Sequence, residues 1–270
     1  MAHQVNSYVL TKRWRAGVPV VLLFVAAALA SSAQAATVGL GTAKSFAVLA
    51  GTTVTNTGPS VISGSLGVSP GTAVTGFPPG TVKDGTTHAA DGVAAQAELD
   101  LKTAYNDAAG RKSTATISNK ELAGRKLVPG VYTSASTLGL SGALTLNGQG
   151  KSNAVFIFQV GSGLTAGSGS RVSLIGGAKP CNVFWQVGAS AAIGTTSRFV
   201  GTIMALTSIT MATHATLDGR ALARNGDVTL ESNTIKKATC AKSTKHHHKS
   251  KHHHSHHKPK HAAKPPTFTG

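Results

Sequence analysis

The chain has 270 residues, a formal net charge of +17 and two cysteines, with 26 Lys and Arg against 9 Asp and Glu. Three of those basic residues fall in the first 35 positions and nine in the last 35, so the stretch between them is only mildly basic. With no basic stripe interleaved with aromatics, nucleic-acid binding by that stretch is excluded as a reading.

At the start, Lys12, Arg13 and Arg15 precede an apolar run from Val18 to Ala30, and Ala33-Gln34-Ala35 forms a small-residue cleavage site. The run is short for a membrane span and the flanks fit a secretory leader, residues 1–35, removed after Ala35. The domain expected to fold is 36–235. Phe46 to Thr57 and Val61 to Val68 predict short strands, broken by the turn segments Gly67-Val68-Ser69-Pro70-Gly71 and Gly76-Phe77-Pro78-Pro79-Gly80. From Thr87 to Ala109 the pattern changes. Val93, Ala97, Leu101, Ala104 and Ala108 fall at helical spacing, predicting one long helix closed by Gly110, with a stripe of small residues able to lie against a sheet. Arg111 to Lys126 is expected to be a polar linker.

Beyond Val128, period-two alternation rich in Gly and Thr predicts strands. The segment repeats itself. Ile157-Phe158-Gln159-Val160-Gly161 returns as Phe184-Trp185-Gln186-Val187-Gly188, and Phe199 to Ala205 returns 18 positions later as Leu217 to Ala223. Such periods imply one unit stacked on copies of itself, with three short strands per coil. Stacked coils present flat, rigid faces suited to surface recognition.

Cys181 and Cys240, an even pair in an exported chain, point to a disulfide; two free thiols are the alternative. Residues 236–270 hold nine Lys, nine His and one large apolar residue, Phe268. That tail cannot bury a core and is expected to be disordered. Its clusters His246-His247-His248 and His252-His253-His254 suit a divalent metal, and its charge suits anionic cell-wall polymers. No enzyme is expected. The carboxylates near the helix read as a solvated face, His88 and His214 lack a ligand pattern, and no nucleophile elbow occurs. No cofactor is implied.

The motifs, taken together, resemble the microbial ice-binding-protein-like family. They are Gly67-Val68-Ser69-Pro70-Gly71, Gly76-Phe77-Pro78, Ala104-Tyr105, Leu127-Val128-Pro129-Gly130-Val131-Tyr132, Val155-Phe156-Ile157-Phe158-Gln159, Asn182 to Gly188 and Gly219-Arg220-Ala221-Leu222-Ala223, in order from about Gly39 to Asn233. The resemblance implies a mainly β fold: a discontinuous right-handed β-solenoid of triangular section with one long α-helix alongside. It also implies a secreted monomer that adsorbs to an ice crystal surface through a flat face of short Thr-rich rungs. The residues matching that pattern are Thr137, Thr165 with Ser168, Thr195 after Ala192, Thr210 with Thr213, and Thr229 with Ser232. The competing readings are a surface-adhesion module held by the tail, and metal sequestration by the tail.

Overall fold

The computed structural model describes residues 35–240 and Gly270. Residues 1–34, nearly all of the expected leader, and most of the Lys/His-rich tail, including His246–His248 and His252–His254, lie outside the described residues.

Each coil consists of three short strands, and like strands of successive coils pair in parallel to make three walls. The first coil runs through Phe46–Ala50, Thr53–Thr57 and Val61–Ser63, and the second through Ser65–Val68, Ala73–Thr75 and Thr81–Lys83. In the later coils Arg198–Ala205 and Thr216–Ala223 each cross two walls without a break, bending at Gly201 (φ 110°) and the adjacent Gly219. A side chain at Gly219 would strike the Gly201 carbonyl, so this corner requires glycine.

Order in the chain is not order in space. The first coil stacks on the last one, with Val48 beside Ala221, Thr55 beside Thr229 and Ile62 beside Ile235. The polypeptide must then return to the far end of the stack, where Ala115–Thr116 pairs with Gly130–Ser134. The helix, Gly92–Ala109, makes that return. Its 18 residues span about 27 Å. The wall beneath it has eight inter-strand steps, about 38 Å, and the segments flanking the helix cover the difference.

The helix begins later than the sequence suggests. Thr87–Ala89 pairs with Ser65–Val68 as a strand, and Asp91 caps the helix by accepting from the Ala94 amide at 2.8 Å. The buried stripe is Ala94, Ala97, Leu101, Ala104, Tyr105 and Ala108, whereas Val93 is 51% exposed. The expected linker is a coil instead: Ala115–Thr116 and Lys126–Leu127 are strands, and Ile117 and Leu122 are buried. Their apolar side chains were too sparse to register as alternation.

The wall under the helix is buried on both surfaces. Phe156, Phe158 and Trp185 point into the solenoid, where Phe158 stacks on Trp185 with ring centres 3.9 Å apart and Trp185 donates to the Val200 carbonyl at 2.9 Å. Ile157, Phe184, Met204 and Leu222 point outward against the helix. The repeated glutamines dock it. Gln159 Nε2 donates to the carbonyls of Ala108, Ala109 and Arg111 at 2.7–3.0 Å, closing the helix C-terminus. Gln186 donates to the Tyr105 hydroxyl at 2.8 Å.

Two features bind the chain ends. Cys181 and Cys240 form a disulfide with Cα atoms 5.5 Å apart. Arg220, buried, donates to the carbonyls of Lys44 and Ala238, and burial lowers its guanidinium to about 10, which leaves it cationic at neutral pH.

Candidate functional site: a flat threonine wall

The three walls differ in what they offer to solvent. The first is covered by the helix. The second carries exposed charges: Arg171 and Arg198 lie side by side, and Lys236, Lys83 and Asp218 extend along it. The third is the seven-stranded sheet Leu138–Leu140, Leu164–Ala166, Ala191–Ile193, Ile209–Met211, Val228–Glu231, Thr53–Thr57 and Ala73–Thr75. Its strands alternate between an inward residue, apolar except at Asn56, and an outward one, small except at Glu231.

The register aligns the outward residues at mid-strand into one file: Gly139, Thr165, Ala192, Thr210, Thr229, Thr55 and Thr75. Neighbours along it are spaced by roughly 4.7–4.9 Å, the inter-strand distance. Threonine is stiff at χ1, so methyl and hydroxyl groups repeat at nearly fixed positions. Two residues further along the strands stand Gly167, Gly194 and Ala212, which keep the surface low. A Cβ at Gly194 would come within 2.7 Å of the Ala166 carbonyl, so glycine lets the coils close up there.

Of the residues selected from the sequence, Thr165, Thr210 and Thr229 fall in this file. Ser168, Thr195 and Thr213 lie beside it, at the corner leading to the charged wall. That corner is left-handed in five stacked coils, at Gly169, Thr196, His214, Ser232 and Gly58, with φ from 50° to 77°. Ser232 therefore occupies the corner itself. Thr196 N donates to Thr213 O and His214 N to Glu231 O, so Glu231 follows Thr213 in the outer row. Beyond Glu231 comes Thr57, its register partner. His214 is a corner residue rather than a strand residue. Thr137 sits in the adjoining column, its methyl 4.0 Å from where a Gly163 Cβ would stand, and Gly139 holds its coil's place in the file.

Thr53, Thr55, Thr57 and Thr75 are not legible in the sequence as part of this wall, because their coils lie at the other end of the chain. The alternation Thr53-Val54-Thr55-Asn56-Thr57 was the available signal; only the stacking order brings it beside Thr229.

Besides Glu231 in the outer row, a second carboxylate borders the wall. Asp227 accepts from Ser208 Oγ at 2.6 Å and Thr229 Oγ1 at 2.9 Å. Partial burial works to raise its pKa, but the hydrogen bonds from Ser208 and Thr229 outweigh that and hold it below the usual carboxylate range. The Thr229 hydroxyl is thus pinned in one orientation. Among the described residues, no group of three or more His, Cys, Asp or Glu is placed to hold a metal ion, and no helix is long and apolar enough to cross a membrane.

The sequence profile of the ice-binding-like family matches residues 48–236. An ice-binding protein of Nostoc sp. strain HG1 is 50% identical over 214 residues, covering 78% of this chain and 79% of the relative. One from Flavobacterium frigoris strain PS1 is 34% identical, covering 73% and 75%. Among solved structures, an ice-binding protein from an Antarctic biological consortium is 50% identical, with a TM-score of 0.73, covering 75% of this chain and 92% of its own. That of the Antarctic ascomycete Antarctomyces psychrotrophicus is 39% identical, also with a TM-score of 0.73, covering 75% and 99%. Those structures share the helix-flanked β-solenoid, and with these matches this chain belongs to the ice-binding-like family.

Proposed function

We propose that this protein adsorbs to ice through the threonine wall. The observation that carries the reading is the file Thr165, Ala192, Thr210, Thr229, Thr55 and Thr75, set by strand register on an uncovered wall. A rigid two-dimensional array of methyl and hydroxyl groups orders first-shell water at matching spacings. Because the side chains and coils are already fixed, little conformational freedom is lost on contact. Ice is infinite and repetitive, so many weak contacts add, and no single residue needs to be strong. The helix-covered wall cannot touch a crystal, and the charged wall is rough and strongly hydrated. The relatives' function favours the same reading.

Adsorption on growing crystals inhibits recrystallisation, and the leader places that activity outside the cell, in a monomeric secreted protein without catalytic function. The test is ice-recrystallisation inhibition and ice-affinity partitioning of the parent beside Thr210→Tyr/Thr213→Tyr. A folded double variant that loses both activities supports the wall. A folded parent without activity sinks the reading. The Lys/His-rich tail is a separate matter. Its histidines suit divalent metal and its lysines suit anionic wall polymers, and its removal should leave ice adsorption unchanged.

A further inference from the structure

A groove of about 490 Å3 lies beside the disulfide, between the N-terminal segment and the C-terminal strap. Leu40, Phe184 and Cys240 give it an apolar surface, and Lys44, Arg220 and Lys237 also line it. No carboxylate does.

Arg220 is 6% exposed. Its Nε and Nη2 are committed to the carbonyls of Lys44 and Ala238, whereas Nη1 has no hydrogen-bond partner among the described residues. Among the described residues the Lys44 ammonium makes no ion pair, and Lys237 Nζ reaches the Ser45 carbonyl at 3.4 Å. Among the described residues the ion pairs are His88–Asp91 and Arg111–Asp107, both elsewhere. Three basic residues therefore line one groove to which no carboxylate contributes. Uncompensated like charges near an apolar surface repel, and a bound anion relieves that cost.

We propose that this groove binds an oxyanion with an apolar body, a short-chain carboxylate, between Arg220 Nη1 and the ammonium groups of Lys44 and Lys237. A guanidinium edge and two flexible ammonium groups suit a carboxylate head. Leu40 and the disulfide suit the hydrocarbon. The volume is within the range of small-molecule sites. Such a ligand joins the N-terminal segment, the helix-facing wall and the C-terminal strap, so its binding also stabilises the fold. The groove shares no residue with the threonine wall, and the two sites stand or fall separately.

The test is a titration of the isotope-labelled full chain with hexanoate at constant ionic strength, following the amides of Lys44, Ser45, Ala238 and Thr239. Saturable shifts at these amides are expected. Lys44→Gln/Lys237→Gln should weaken binding by about ten-fold or more. Hexanamide, neutral and of the same shape, should not saturate the site. Equal binding of hexanamide reduces the groove to an apolar crevice and overturns the proposal. So does equal binding by the double variant, or shifts confined to the cationic tail.

Discussion

Single residues set the quality of the threonine file. Ala192 is its one interior gap, exposed and flanked in register by Thr165 and Thr210. Ala192→Thr adds a β-branched residue where the strand and the file both favour one, and should raise recrystallisation inhibition without lowering stability. Thr55→Tyr should reduce that activity as strongly as Thr210→Tyr, although Thr55 is distant in the chain. A second residue-scale effect lies on the helix. Burial pushes the Glu98 carboxyl up to about 8, the nearby Arg224 offsetting only part of it, and its Oε1 is buried without a partner. The folded state then binds more protons than the unfolded one between about pH 4.5 and 8. Stability from this group therefore falls as pH rises through that window and stays reduced above it. Glu98→Gln should flatten the decline in melting temperature between pH 5 and 9, at roughly 2–4 °C for each kcal/mol recovered. An unchanged pH profile in the variant would exclude Glu98 as the cause.

At the scale of elements, the helix is held by the wall more than by its own propensity. Gln159 donates to three helix-end carbonyls while accepting from Thr133 Oγ1 at 2.7 Å. Gln159→Leu keeps most of the volume but strands those groups, and should cost about 1–3 kcal/mol in chemical denaturation. The left-handed corner is another element with a cost built in. Thr196 is β-branched at φ 56°, a conformation that disfavours its side chain. Thr196→Gly should be neutral to stabilising by up to about 1 kcal/mol, whereas glycine at most other strand ends should destabilise. Both glutamines were visible in the sequence as parts of a repeat. Their task of docking a helix was not, because periodicity reports which residues recur and is silent on what faces them.

Over the whole molecule, stability depends on closing a stack whose two chain ends meet in its middle. Every rung there is a contact between residues far apart in sequence, such as Thr55 with Thr229. The disulfide closes a loop of 59 residues beside this junction. By the loop-entropy relation it contributes about 4 kcal/mol. Cys181→Ser/Cys240→Ser should lower the melting temperature by several degrees while leaving recrystallisation inhibition of the folded protein intact. Loss of ice activity in a folded variant would instead tie the threonine wall to that junction.

Local chemistry was enough to read much of this from the sequence. Alternating Thr and Val marks strands, the spacing of Ala97, Leu101, Ala104 and Ala108 marks a helix, and the 18-residue return of Phe199 to Ala205 marks a stack. These signals depend on side-chain volume and period along one stretch of chain. The threonine file depends on register between stretches. A shift of one residue at a corner moved Ser232 out of the outer row and put Glu231 there. The discontinuous stack carried Thr55 and Thr75 into the file, and Gly139 took the place expected for Thr137. Sequence alone determined the fold class and the type of surface. Only the tertiary structure decided which threonines share one plane, because inter-coil hydrogen bonds, not distance along the chain, set which residues are neighbours.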